Sequence, residues 1–245
     1  MINRIEIVAC AIALIGVVAI PKNASACSAS GAIGAKWQQL QAELGPCIEG
    51  QVEKDDGAGG RIQQFQNGYV DWTSARPAEA YAVYGGIAEA WMAVYGGPAG
   101  TGQPVTDEEF AAALGPAKRQ TFLKVGDTLP SYLEWNPGYT GNYFGSPVNL
   151  PPCQAAYQVC QVRGGIGWLW FNSSETGGGL PPINNEFSLA GGSRQDFVDM
   201  SSLGSDLDAI TWDAATNDVC FFAETGYSFN FSDPNGGVAD CLYPF

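Results

Sequence analysis

The sequence predicts an α+β repeat module followed by an all-β sandwich, and three observations carry that expectation. A tryptophan-bearing segment recurs after 54 residues: Ile33, Trp37 and Leu40 run into Leu44-Gly45-Pro46, and Ile87, Trp91 and Val94 run into Gly96-Gly97-Pro98. Between the copies stands Asn67-Gly68, the strongest two-residue hairpin signal. From Cys153 onward, short apolar runs are separated by Gly, Asn, Ser and Pro clusters, the rhythm of a small antiparallel sandwich.

The N-terminus sets the expected compartment. Arg4 precedes an apolar run from Ile7 to Ile20, and Ala24-Ser25-Ala26 offers the small residues a signal peptidase accepts, so residues 1–26 read as a secretory signal peptide. A lipid anchor on Cys27 is the competing reading; it calls for a larger aliphatic residue where Ala24 stands. After cleavage no comparable apolar stretch follows, so no membrane span is expected. Cleavage removes Cys10 and leaves Cys27, Cys47, Cys153, Cys160, Cys220 and Cys241, an even number suited to disulfides in an oxidising compartment. Cys27 with Cys47 is the natural front pair, and three pairings stay open for the other four. The mature chain keeps 9 basic and 24 acidic residues, a net charge of −15, which repels phosphate backbones and argues against a nucleic-acid partner.

In the front module, residues 27–135, Ile33, Trp37, Leu40 and Leu44 fall on one helical stripe ended by Gly45-Pro46, and Ile87, Trp91, Val94 and Tyr95 repeat it. The spacing makes both indoles core residues. Arg61 to Gln66 and Tyr69 to Thr73 are the hairpin strands, in which Tyr69 and Asp71 share one face and Val70 and Trp72 the other. A ring beside a carboxylate can hold a sugar, which makes Phe65, Tyr69, Asp71 and Trp72 the candidate ligand residues, while a half-exposed hairpin simply packed on the helices is the competing and slightly favoured reading. Thr106 and Glu109 have capping-box spacing ahead of Phe110 to Leu114, so the acids Asp107 and Glu108 read as a helix start.

This order of elements resembles the LGFP repeat, found mainly on secreted actinobacterial cell-envelope proteins and believed to hold them to the wall. The resemblance covers about residues 31–109, with Phe122 to Trp135 a degraded hairpin copy. Phe65, Gly68, Tyr69 and Trp72 match the family's Phe-x-x-Gly-aromatic segment, and Gly102-Gln103-Pro104 followed by Asp107 matches its Gly-x-Pro-acid pattern. Leu-Gly-Phe-Pro itself is absent: Leu44-Gly45-Pro46 is one residue short.

Residues 136–152, punctuated by Pro and Gly, read as a linker. In the rear region, 153–245, strands are expected at Ile166 to Phe171, Asp196 to Met200, Ala209 to Trp212 and Val219 to Phe222. Asp199 to Trp212, with Cys220-Phe-Phe-Ala-Glu-Thr-Gly226-Tyr227, resembles a βγ-crystallin Greek key, a fold shared by microbial protease inhibitors. That resemblance implies a possible calcium loop at Asp206, Asp208 and Thr211, although Leu207 and Trp212 replace two ligand-type residues, and a metal-free loop is the favoured reading.

Catalysis has little support. The chain has no histidine, so Ser-His-Asp and Cys-His mechanisms lack their base, and zinc lacks its usual ligand spacings. The expectation is a secreted, non-catalytic cell-wall or surface-binding protein that contacts polysaccharide through the repeat module. A secreted proteinase inhibitor acting on a protease through the rear domain is the first alternative. A carboxylate-dependent glycoside hydrolase is the second.

Overall fold

Three glycines organise the architecture. Gly31, Gly85 and Gly164 have φ of +57°, +58° and +58°, and a Cβ added at any of them would meet open space. Each is there for its backbone conformation, which bends the incoming chain straight into a helix at little cost only for glycine. The helices that follow read Gly-Ala-Ile33-Gly-Ala-Lys-Trp37, Gly-Gly-Ile87-Ala-Glu-Ala-Trp91 and Gly-Gly-Ile166-Gly-Trp-Leu-Trp170. In the computed structural model, which describes residues 28–111, 116–143, 146–150, 152–172, 181–189, 191–198, 207–216, 218–222 and 240–242, each helix opens a unit of one design.

Unit one runs α1 (Gly31–Gln39), α2 (Gln41–Leu44), β1 (Lys54–Asp55), β2 (Gly60–Phe65), β3 (Gly68–Thr73) and β4 (Ala80–Tyr84). Unit two runs α3 (Gly85–Ala93), α4 (Gly97–Gly100), β5 (Gln103–Pro104), β6 (Glu109–Phe110), β7 (Lys118–Leu123) and β8 (Ser131–Trp135). It continues with β9 (Tyr139–Tyr143), β10 (Ser146–Leu150), a 3-10 turn at Ala156–Gln158 and β11 (Val159–Val162). Unit three holds α5 (Gly164–Asn172), β12 (Phe187–Leu189), β13 (Gly192–Val198), β14 (Leu207–Asp213), β15 (Val219–Phe222) and β16 (Asp240–Leu242). The sheets are antiparallel and follow chain order: β1-β2-β3-β4, then β5-β7-β8-β11 with β6 also on β7, then β12-β13-β14-β15-β16.

The units share register as well as order. Gln63 pairs with Val70, Gln120 with Leu133 and Gln195 with Ile210. Two residues after each glutamine comes a phenylalanine, Phe65, Phe122 or Phe197, fully buried against the tryptophan of its own helix. The ring centroids lie 5.7 Å apart for Trp37–Phe65, 5.5 Å for Trp91–Phe122 and 6.1 Å for Trp170–Phe197. Such a pair adds about 1 kcal/mol to the area it buries. Because strand side chains alternate, the opposite face of each sheet is free for the next helix. Ile62 and Val83 of the first sheet join Trp91, Phe122, Leu133 and Val159 in one core, while Tyr132 and Val162 join Trp170, Phe197 and Ile210 in another. Helices and sheets therefore alternate along a stack.

Several expectations change against this framework. Ile166 to Phe171 is helical, not a strand: Ile166, Leu169 and Trp170 are buried at helical spacing. A short apolar run does not by itself distinguish the two states. The expected linker lies between two strands of one sheet, since β8 pairs with β11, and the β9–β10 hairpin is inserted between them. In the rear, the described strands follow one another as a meander, where a Greek key was expected.

The front hairpin forms with its turn one residue earlier than read: Phe65 pairs with Gly68, leaving Gln66-Asn67 as the loop. Gly68 serves close approach instead of a left-handed turn, because a Cβ there would sit 2.3 Å from the Val83 carbonyl oxygen. Glu109–Phe110 is a strand and not a helix start, and Thr106 Oγ1 accepts from the Thr121 backbone N–H. Leu114 and the signal-peptide segment 1–26, with Cys27, lie outside the described residues. Cys153 is bonded to Cys160, and Cys47 and Cys220 are disulfide-bonded as well.

Candidate functional site

The four expected ligand residues do not make one surface. Phe65 and Trp72 face α1, with Phe65 fully buried and the Trp72 indole donating to the Pro77 carbonyl. Tyr69 turns to the other face and meets Trp91 edge-on at 6.1 Å, and Asp71 beside it is 2% exposed. The alternation within β3 is as read, but the Tyr69–Asp71 face is covered by the next unit. Of the possible calcium ligands, Asp206 lies outside the described residues. Asp208 and Thr211 stand on strand β14, and Thr211 is buried.

What the sequence did not reveal is how successive units grip each other. The outermost strand of a unit is held by side chains of the next. The Ala82 backbone N–H donates to Asp107 Oδ1 at 3.1 Å, and Gln120 Nε2 donates to the Ala82 carbonyl at 2.8 Å. The same amide also donates to Thr106 O at 2.8 Å. One seam further on, the Gln161 N–H donates to Asn185 Oδ1 at 2.7 Å, while Gln195 Nε2 donates to Gln161 O at 3.0 Å and Asn184 O at 2.8 Å. Ala82 and Gln161 each precede the helical glycine of the next unit, Gly85 or Gly164, by three residues, so both hooks seize the same position. An acid–glutamine or amide–glutamine pair thus does for the strand edge what a neighbouring strand would do. Among the described residues no unit stands ahead of Gln63, and its amide donates to Gln51 O at 3.5 Å. On β15 the corresponding residue, Phe221, pairs with Asp240 of β16.

Each seam also buries an acid at one register position. Asp71 and Glu134 are 2% and 1% exposed, with Thr211 at the matching place in unit three. Burial pushes the Asp71 carboxyl up to about 8, reinforced by the charge and hydrogen bond of Asp56 and opposed by Arg76. Burial likewise raises Glu134 to about 8, against the pull of the Arg119 guanidinium. Arg119 pairs with Glu109 at 3.1 Å and lies 5.3 Å from the Trp170 ring and 5.2 Å from Phe171. These acids are sealed from solvent and offer no groove for a substrate.

Two open clefts lie at corresponding places in the seams, each between the hairpin tip of one unit and the helix start of the next. The first, about 590 Å³, is lined by Glu43, Gln64, Asn67, Tyr84 and Glu89 among others. The second, about 550 Å³, is lined by Asp127, Thr128, Ser131, Arg163, Glu186 and Trp212 among others. Arg163, which precedes the glycine of α5 as Tyr84 precedes that of α3, is paired to Glu186 at 3.3 Å. Burial, with Glu108, Glu43 and Asp107 nearby, pushes the Tyr84 phenol up to about 12. The usable sequence signal was Gly-Gly-Ile-x-x-x-Trp after a short strand, present at both places.

Stacked hairpin-and-helix units with buried motif residues define a class of repeat scaffold. Within it, the model of the LGFP repeat family matches residues 44–100, and this stretch is an LGFP repeat. LGFP repeats are generally non-catalytic and cell-envelope associated, so the match suggests a cell-surface-associated protein. The matched stretch begins at Leu44-Gly45, where Gly45 O accepts the Trp37 indole N–H at 3.0 Å, and passes through the hairpin to α3 and α4. In unit two, Gly102 O accepts the Trp91 indole at 3.2 Å. No curated protein matches the chain. Among the described residues no helix is long and apolar enough to cross a membrane, and no three His, Cys, Asp or Glu side chains gather as a metal site.

Proposed function

We propose that this is a secreted, non-catalytic protein of the cell envelope that binds wall or surface polysaccharide through its repeat stack. The LGFP repeat at 44–100 carries the reading. Two further observations support it. The tryptophans and acids that first suggested chemistry are committed to cores and seams, so the motif residues serve as scaffold. A stack of like units also presents like surfaces at intervals, which suits a polymer of repeating composition. The test is retention of the mature protein, full length after Ala26, on insoluble envelope polysaccharide stripped of protein and lipid. Retention competed by the solubilised polysaccharide is expected; full recovery in the unbound fraction would overturn the proposal.

A further inference from the structure

The two seam clefts are built alike, and that likeness is what a binding role demands of a repeat. In each, the hairpin tip of one unit supplies amides or hydroxyls, Gln64 and Asn67 in the first and Thr128 and Ser131 in the second. The helix start of the following unit supplies the far wall. An aromatic ring is at hand in both, Tyr84 in one and Trp212 in the other, and both rings are only partly buried. Their size falls in the ordinary range for small-ligand sites.

Their charge decides the ligand class. Glu43 and Glu89 line the first cleft with no cation among its lining residues. In the second, Asp127 and Glu186 face one cation, Arg163, which is already engaged by Glu186. Backbone N–H groups at the helix starts favour anions, but the carboxylates outnumber them in full charges, and a polyanion would meet net repulsion in both places. Carboxylates accept hydrogen bonds from hydroxyls, amides both donate and accept, and an exposed ring face packs against the apolar face of a pyranose or furanose.

We infer that the two clefts are equivalent subsites for a neutral, hydroxyl-rich glycan, each completed only when two successive units stack. This rests on the polysaccharide reading above and adds to it where the polymer lies and that it is uncharged. Two linked subsites on one protein chain engage one chain of the polymer in tandem, so apparent affinity exceeds that of either alone.

The experiment uses the full mature chain on immobilised neutral polysaccharides (a glucan, a mannan and a galactan) and on polygalacturonate as the anionic counterpart. The variants are Glu89→Arg and Asp127→Arg, both at exposed positions, singly and together. The wild type should bind at least one neutral polymer and leave polygalacturonate unbound. Each single variant should weaken binding at least tenfold, and the double should bring it below detection with the melting transition kept. If either arginine variant does not fold, Glu89→Gln and Asp127→Asn, which keep shape and remove a charged acceptor, should each weaken binding severalfold. A double variant that binds the neutral polymer like the wild type sinks the cleft assignment while leaving polysaccharide binding standing. Preference for polygalacturonate overturns the ligand class, and binding to none of the four fails the broader reading with it.

Discussion

Asp71 and Glu134 are the residues whose chemistry reaches furthest through the molecule. Both are carboxyls buried at the same step of a strand, and Asp71 Oδ2 and both Glu134 oxygens have no hydrogen-bond partner among the described residues. Held near 8 in the folded protein and near 4 when unfolded, each stays protonated in the native state while the unfolded chain releases its proton. The folded state then binds more protons than the unfolded one, so stability falls as pH rises through the window from about 4 to 8 and levels off above it. Each acid contributes up to about 1.4 kcal/mol per pH unit across that window. Thermal melts from pH 4.5 to 8.5 should show this decline, and the pair Asp71→Asn and Glu134→Gln should flatten it. A pH-independent melting temperature in the wild type would contradict the assignment. The sequence does not show the burial of these acids: a ring and a carboxylate on one face of β3 made Asp71 a candidate ligand contact, because the covering helix belongs to a unit further along the chain.

Between elements, the hook formed by Asp107 with Gln120, and by Asn185 with Gln195, sets one unit against the next. Removing a donor that satisfies two buried or partly buried carbonyls costs about 1–3 kcal/mol. Gln120→Leu and Gln195→Leu should each destabilise by that amount in chemical denaturation, whereas Gln63→Leu, whose amide makes one 3.5 Å contact and holds no strand edge of another unit among the described residues, should cost distinctly less. Equal losses at all three positions would mean the glutamines act locally. Much at this scale was legible. Helices α1 and α3, the first hairpin and the core role of Trp37 and Trp91 followed from periodicity and turn chemistry. Helix α5 was missed although Gly164-Gly-Ile166-Gly-Trp-Leu-Trp170 repeats the earlier pattern, because its aromatic, strand-prone composition outweighed an identical spacing. The Asp107–Glu108 pair was misplaced for a related reason: capping-box spacing is a local signal, and here Asp107 is claimed by Lys36 at 2.7 Å and by the β4 edge, both far away in sequence.

For the molecule as a whole, a division at residues 136–152 cuts through a sheet. Tyr132 packs with Trp170 and Phe171 of α5 at 5.4 and 5.1 Å, and Val159 belongs to the core of α3. A fragment of residues 27–152 loses β11 and uncovers the Tyr132 face of its sheet. It should melt without a cooperative transition and be digested at protease concentrations that leave the full chain intact; a sharp transition in the fragment would restore two independent domains. The conclusion that the front and rear belong to one series was out of reach from the sequence, since the copies agree at a handful of positions separated by insertions of unequal length.

That agreement has a further implication in how the units are joined. Asp107 with Gln120, and Asn185 with Gln195, take hold of the peptide group of Ala82 and of Gln161, residues with nothing in common as side chains. A coupling that addresses only what every amino acid possesses leaves the captured strand free to drift. Descendants of one ancestral module can lose their family likeness while continuing to fit together, which is consistent with a recognisable motif surviving in a single stretch of a threefold design.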